Sequence, residues 1–176
     1  MRILPEFEQH APEVDESALP GENAPALALR LAIAKAQGVA ALRGDCIVIG
    51  SDQAVECDGR ILGKPGDAAA ARAQLASFSG RSVRFHTAAC VLDPCHPRTP
   101  ASVTDVTTVV FRILHPDEIA RYVQREQAFD CAGSFKMEGL GIVLFERVTS
   151  EDPTALVGLP LIALGALLRR AGLMVP

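Results

Sequence analysis

The sequence predicts a protein that mixes helices and strands, of the α/β or the α+β class. Two long runs rich in β-branched residues, 81–92 and Ala101–Phe111, are typical of strands joined by a proline-broken loop at 93–98. The alanine- and leucine-rich run Ala24–Leu42 repeats apolar residues at helical spacing. With 176 residues, 49% of them hydrophobic, the chain can bury one well-packed core. We therefore expect one domain, 1–176.

The polar segment Gly-Ser-Asp-Gln at 50–53 follows an apolar run at 46–49. The run predicts a buried strand, and open α/β sheets collect ligands at the carboxyl ends of their strands. An Asp-Gly pair at 58–59 is a hairpin signal that would fold Lys64 back toward Asp52. Asp52 is therefore a candidate base or metal ligand. Taken alone, Asp52 and Lys64 fit ordinary structural roles better than a functional one. Asp52 would cap the end of a strand, and Lys64 would be a solvated surface lysine.

Four further elements complete the predicted architecture. Residues 67–77 are predicted as a helix with an aspartate at its start, and residues 115–126 as a helix with proline and acids in its first turn. Residues 139–145 are predicted as a strand. Residues 160–171 form an apolar helical pattern whose last turn carries two arginines, which suit the negative end of the helix dipole.

Composition excludes several classes of protein. A net charge of −4, scattered basic residues and 5% aromatic residues without tryptophan argue against binding to a nucleic-acid polymer. No apolar run reaches the roughly 18–20 residues of a membrane span, and residues 1–6 lack the apolar core of a signal peptide. Five cysteines without a C-x-x-C pair suit reduced thiols. We expect a cytoplasmic protein with no membrane partner.

Charged residues near the ends of predicted elements are the candidate chemistry. A Walker loop is excluded because the glycine-lysine spacing at 59–64 is one residue short and Pro65 replaces the serine or threonine that would hold magnesium. The remaining set combines acids, which coordinate Mg²⁺ through oxygen, with lysines, which act as point charges on phosphate. The set consists of Glu13, Asp15, Glu16, Lys35, Asp52, Lys64, Lys136 and Glu138. A solvated acidic loop and ordinary surface lysines remain the alternative interpretation.

Five blocks of residues, taken in order, resemble the Maf family of nucleoside triphosphate pyrophosphatases. The blocks are Pro-Glu-Val-Asp-Glu at 12–16, Leu-Arg-Leu-Ala-Ile-Ala-Lys-Ala at 29–36, Ile-Gly-Ser-Asp-Gln at 49–53, Gly-Lys-Pro at 63–65 with Phe-Ser-Gly-Arg at 78–81, and Cys-Ala-Gly-Ser-Phe-Lys-Met-Glu-Gly at 131–139 with Val-Gly-Leu-Pro at 157–160. The Ser-Asp-Gln and Phe-Lys-Met-Glu-Gly forms look like the branch that acts on 7-methyl-GTP.

The resemblance implies a reaction and a set of catalytic residues. Asp52 would be the general base that activates water for attack on the α-phosphorus, with release of the nucleoside monophosphate and pyrophosphate. Glu16 would help to hold a divalent metal, Mg²⁺ or Mn²⁺. Lys35 and Lys64 would neutralise phosphate oxygens as charge builds on the leaving group.

The resemblance also implies the determinants of base choice and the overall architecture. Gln53 and Glu138 match the positions that set base choice in this branch, and a carboxylate suits a guanine edge that offers N–H donors and carries a positive charge after N7 methylation. The implied fold has an elongated mixed sheet with flanking helices and a cleft between two lobes. It often forms a homodimer.

One family segment is not found in this sequence. Maf proteins begin with a strand and a Ser-x-Ser-Pro-x-Arg-Arg loop that binds the triphosphate, and no Ser-Pro-x-Arg occurs here. Our expectation is either a mis-set start or a natural truncation. The second case leaves a weakly active or inactive nucleotide-binding module as the alternative function.

Overall fold

A five-stranded antiparallel sheet forms the centre of the protein. The computed structural model describes residues 7–96 and 99–175, so the features predicted for residues 1–6 and for the end of the loop at 93–98 lie outside the described residues. The strand order is β2-β1-β3-β4-β5. The strands are β1 Val48–Cys57, β2 Arg60–Leu62, β3 Ser82–Leu92, β4 Ala101–Phe111 and β5 Phe145–Thr149. The predicted α/β class is confirmed.

In the described part of the chain, four α-helices flank the sheet. They are α1 Ala24–Leu42, α2 Ala68–Phe78, α3 Pro116–Glu126 and α4 Leu161–Arg170. All four confirm predicted helices to within one residue at each end. The caps follow the sequence signals: Asn23, Asp67 and His115 each accept a backbone N–H of the first turn of α1, α2 and α3.

The two faces of the sheet bury different layers. Ala54 of β1 and Ala88 of β3 pack with α1, whereas Val55 and Phe85 pack with residues of α2 and α3 on the opposite face. Helix α4 covers Val91 at one end of that second face. Since side chains alternate between faces along a strand, the register of β1 decides which polar residues can meet α1.

Two strand predictions are wrong. The strand predicted at 46–49 instead begins at Val48 and runs to Cys57, because β3 pairs with it continuously from Val48 to Glu56. Asp52 therefore lies in the middle of a strand of an antiparallel sheet, and the argument from carboxyl ends of parallel strands does not apply. Residues 139–144 are also not a strand, and β5 begins only at Phe145. The N–H groups of Gly139 and Gly141 both donate to the carbonyl of Lys136, which winds the chain into a 3₁₀ segment, Leu140–Leu144.

Helix α1 passes the length and composition test for a membrane span, with 19 residues and a mean hydropathy of 1.3. The expectation that no run would be long enough did not anticipate this. Length and composition are weak evidence by themselves, and α1 packs on β1 and β3 through a buried face that includes Leu27 and Leu31. Its two charged residues, Arg30 and Lys35, form ion pairs. These contacts are typical of a core helix.

Candidate active site

The ammonium of Lys35 lies between two carboxylates. Lys35 Nζ is 2.6 Å from Oδ1 of Asp52 on β1 and 2.6 Å from Oε1 of Glu16 in the N-terminal segment. The other oxygen of Glu16 is 3.3 Å from Nζ of Lys64, which follows β2. Four of the predicted site residues, distant in sequence, are therefore brought together on the α1 face of the sheet.

The hairpin between β1 and β2 delivers Lys64 to this cluster. Asp58 and Gly59 have φ values of 50° and 75°, the positive values that a two-residue type I′ turn requires. The turn pairs Val55 with Leu62, and Lys64 follows two residues later. The prediction that the hairpin would fold Lys64 back toward Asp52 is confirmed.

The N-terminal segment is tied to α1, and this positions Glu16. Arg30 donates from Nε to Oε1 of Glu22 at 2.7 Å and from a terminal nitrogen to the carbonyl of Ser17 at 2.9 Å. Asp15 accepts the backbone N–H of Ser17 at 2.9 Å, so its carboxylate serves the local turn. Of the acids predicted at 13–16, Glu16 is the one that contacts the lysines.

Burial and pairing act in opposite directions on the charges of the cluster. Burial raises the pKa of Asp52, an effect that the hydrogen bond and charge of Lys35 oppose without cancelling. Burial disfavours the charged form of Lys35, but hydrogen bonds to Asp52 and Glu16 outweigh it, so the pKa of Lys35 is raised. The hydrogen bond from Lys35 lowers the pKa of Glu16. Asp52 is thus a carboxylate of increased basicity held beside a permanent cation.

The carboxylate oxygens of the cluster could supply some, but not all, of the ligands of a metal cation. The nearest oxygens of Glu16 and Asp52 each lie 2.6 Å from Lys35 Nζ, so both carboxylates already surround one positive charge. In the described part of the chain, no group of three or more His, Cys, Asp or Glu side chains is arranged to hold a metal. Mg²⁺ is commonly bound through one or two carboxylates together with substrate phosphates. The arrangement suits such a shared ion better than a closed metal site.

Gln53 does not join this cluster, because it lies on the opposite face of β1 from Asp52. Its Nε2 donates to Oγ1 of Thr87 at 2.9 Å and to the carbonyl of Ala155 at 3.1 Å. Ser51, on the same face, donates to the carbonyl of Gly158 at 2.7 Å. The Ser-Asp-Gln motif therefore presents its aspartate to the lysines and uses its two neighbours to hold the turn at 155–158.

Glu138 lies in an exposed turn that is connected to the loop of Lys64. Gln74 of α2 donates to the carbonyl of Gly63 at 3.0 Å, and Ser134 Oγ donates to Oε1 of Gln74. A second link joins the N–H of Gly66 to the carbonyl of Phe129 at 3.0 Å. Sequence reasoning missed Gln74, since one glutamine on an alanine-rich helix carries no signal of its long-range partners.

Comparison with known proteins identifies the family of the chain. The family described as Maf-like protein matches residues 1–171. The chain belongs to the Maf family. Among curated relatives, it is 54% identical over 175 residues to a protein of Xanthomonas axonopodis pv. citri named 7-methyl-GTP pyrophosphatase, covering 99% of this chain and 90% of the relative. Proteins with the same name match from Chromohalobacter salexigens, at 53% identity over 93% of this chain and 84% of the relative, and from Bordetella avium, at 51% over 98% and 86%.

The predicted resemblance to the Maf family is therefore confirmed. In this Maf protein, the blocks at 12–16, 29–36, 49–53 and 63–65 are separate in sequence, and each supplies one member of the cluster of Glu16, Lys35, Asp52 and Lys64.

Proposed function

We propose that this Maf protein is a nucleotide pyrophosphatase that hydrolyses 7-methyl-GTP, or a related modified nucleoside triphosphate, to the monophosphate and pyrophosphate. One observation carries the proposal: Lys35 lies 2.6 Å from both Glu16 and Asp52, with Lys64 on the outer oxygen of Glu16. Acids and lysines at this spacing can hold and activate a phosphate anhydride. The names of the relatives support the choice of substrate.

In the proposed reaction, Asp52 accepts a proton from a water molecule. The water oxygen forms a bond to the α-phosphorus while the bond from that phosphorus to the bridging oxygen breaks, and pyrophosphate leaves. Burial supports this role, because it raises the pKa of Asp52 and makes the carboxylate a better base. The ammonium groups of Lys35 and Lys64 neutralise the charge that builds on the phosphate oxygens.

Glu16 is the residue that would help to hold a divalent metal, Mg²⁺ or Mn²⁺, together with the substrate phosphates. The ion would supply further charge neutralisation on the phosphates. Lys35 holds the carboxylates of Glu16 and Asp52 together before such an ion binds.

Glu138 and Gln53 are proposed to set the base choice by different routes. Glu138 is exposed in the turn next to the Lys64 loop, where its carboxylate can accept hydrogen bonds from the N–H groups of a guanine edge. Gln53 acts from the other face of β1, through the turn at 155–158 that its amide holds. We place the reaction in the cytoplasm, where nucleoside triphosphates are made and used.

A nucleotide-binding module without turnover is the less favoured alternative, because relatives at 50–54% identity carry the name of an enzyme. Pyrophosphate release from 7-methyl-GTP, GTP and UTP in the presence of Mg²⁺ tests the proposal. We expect a preference for 7-methyl-GTP, and a loss of about 10²–10⁴-fold in the Asp52→Asn variant. Asp58→Asn is the matched control, since Asp58 lies in the exposed hairpin turn that follows the same strand. Equal rates for the wild type and Asp52→Asn would refute the role of Asp52, and nucleotide binding by calorimetry without product would establish the alternative.

A further inference from the structure

The chain contains only three lysines, Lys35, Lys64 and Lys136, against fourteen arginines. In the described residues, arginines and histidines make the ion pairs outside the cluster, such as Arg43 with Glu8, Arg81 with Asp58 and His86 with Glu56. Two of the three lysines meet at Glu16. The third, Lys136, has no role in the reaction described above.

Lys136 belongs to the segment that is bound to the Lys64 loop. Gln74 contacts Gly63, which precedes Lys64, and also contacts Ser134, which lies two residues before Lys136. The link from Gly66 to Phe129 fixes the same two segments a second time. Both lysines also act on one carboxylate. Hydrogen bonds from its own backbone N–H and from the Cys131 thiol lower the pKa of Asp130, and the charges of Lys136 and then Lys64 lower it further.

The backbone of Lys136 is held in place while its ammonium is left without a close carboxylate. Its N–H donates to the hydroxyl of buried Tyr122 at 3.2 Å, and its carbonyl accepts from Gly139 at 3.2 Å and Gly141 at 2.9 Å. A methyl group at Gly141 would lie 2.4 Å from that carbonyl oxygen, so the turn requires glycine there. Among residues 7–96 and 99–175, no carboxylate forms an ion pair with Lys136. A fixed backbone that presents an ammonium with no carboxylate within 4 Å suits an anionic ligand.

We propose that Lys136 is a third phosphate-binding cation, so that Lys35, Lys64 and Lys136 form a row along which the phosphate chain of the nucleotide lies. This inference rests on the proposed function, because it assigns the phosphates to the cluster that contains Lys35 and Asp52. An alternative role for Lys136 is contact with the base beside Glu138. It is disfavoured, because the N7-methylated guanine of the proposed substrate is itself a cation and repels an ammonium.

Nuclear magnetic resonance of side-chain ¹³C-labelled lysine tests the inference without depending on turnover. Because the chain has three lysines, the spectrum contains three sets of lysine side-chain signals. Each set is assigned by its disappearance in the corresponding Lys→Arg variant. Titration with pyrophosphate in the presence of Mg²⁺ should shift the signals of all three lysines, and the three titration curves should fit the same dissociation constant. The shifts that Mg²⁺ causes by itself are measured separately and subtracted. The nucleoside 7-methylguanosine, which carries the base and sugar of the proposed substrate but no phosphate, should leave the Lys136 signal unshifted.

Two results would overturn the inference while leaving the proposed function intact: a Lys136 signal that stays fixed while Lys35 and Lys64 shift with pyrophosphate, or one that shifts with 7-methylguanosine alone. Three unshifted signals would overturn both proposals together. As a second measurement, Lys136→Met should weaken pyrophosphate binding about 10- to 100-fold. Lys136→Arg should restore most of the affinity because it restores the charge. Arg121→Met removes an exposed cation from α3 and should leave the affinity unchanged.

Discussion

Gly50 of β1 and Ala32 of α1 approach so closely that a methyl group at Gly50 would lie 2.2 Å from the carbonyl oxygen of Ala32. The same methyl would lie 2.7 Å from the backbone nitrogen of Ala36, the residue after Lys35. Gly50 and Asp52 share one face of β1, two residues apart. The missing side chain at Gly50 therefore sets the distance at which Lys35 can donate to Asp52.

We expect Gly50→Ala to destabilise the protein and to damage the site together. Overpacking against rigid backbone forces the strand and the helix apart, at a cost of about 3 kcal/mol in the free energy of unfolding. Denaturant unfolding measures that cost. Gly44→Ala is the matched control, because its new methyl would meet only the carbonyl of Ala40 at 3.7 Å. Equal stability of the two variants would contradict the role of Gly50 as a spacer.

We expect Glu138→Gln to change substrate preference more than catalytic rate. A neutral amide loses its attraction for a methylated, cationic guanine, worth roughly 1–2 kcal/mol or about 10-fold in the ratio of kcat/KM for 7-methyl-GTP over GTP. Steady-state kinetics with both nucleotides measures the ratio. The Glu146→Gln variant, which removes an exposed carboxylate from β5, should keep the wild-type ratio. An unchanged ratio in Glu138→Gln would remove Glu138 from the base site.

Local signals in the sequence predicted the helices well because their caps and periodicity are encoded within each segment. The Asp-Gly pair at 58–59 likewise predicted its own turn. Signals that depend on partners far along the chain were missed. The sequence predicts a strand end at Asp52, because no local pattern reveals that β3 pairs beyond Ile49. It also predicts a strand that includes the glycines at 139 and 141, although their N–H groups bond to the carbonyl of Lys136.

The site was predicted as a set of residues, but its contacts were not. The ordered blocks identified Glu16, Lys35, Asp52 and Lys64, and the structure joins them. Sequence alone did not reveal that Lys35 bridges two carboxylates, or that Gln53 points away from them. Alternation along β1 separates Gln53 from Asp52, and that register becomes visible only when the pairing with β3 is known.

We expect Gln53→Leu to lower the stability of the protein and also its preference for 7-methyl-GTP. The substitution removes a donor that serves Thr87 and the carbonyls of Ala155 and Leu156, although the Thr87 hydroxyl still donates to Ala155. We expect a loss of about 1 kcal/mol in the free energy of unfolding. Thermal unfolding and the ratio of kcat/KM for 7-methyl-GTP over GTP report the two effects separately. Lower stability with an unchanged ratio would restrict Gln53 to a structural role, and unchanged stability would contradict the importance of its hydrogen bonds.

The ion pair between Glu22 and Arg30 predicts a pH-dependent part of the stability. The hydrogen bond from Arg30 lowers the pKa of Glu22 to about 2 in the folded protein, against 4.5 for the ordinary group. A lowered folded-state pKa stabilises the protein above the unfolded-state pKa, and the contribution is lost as the pH falls from about 4.5 toward 2. Since the pair holds the segment that carries Glu16, its loss also loosens the site.

Glu22→Gln should therefore be less stable than the wild type at pH 7, and most of that difference should have disappeared at pH 3. Denaturant unfolding of both proteins at the two pH values measures the difference. Glu151→Gln removes an exposed carboxylate before the turn at 155–158. Its stability should differ from that of the wild type by a small amount that is the same at pH 7 and pH 3. If the stability difference between Glu22→Gln and the wild type is equal at pH 7 and pH 3, the carboxylate charge of Glu22 does not hold the N-terminal segment on α1.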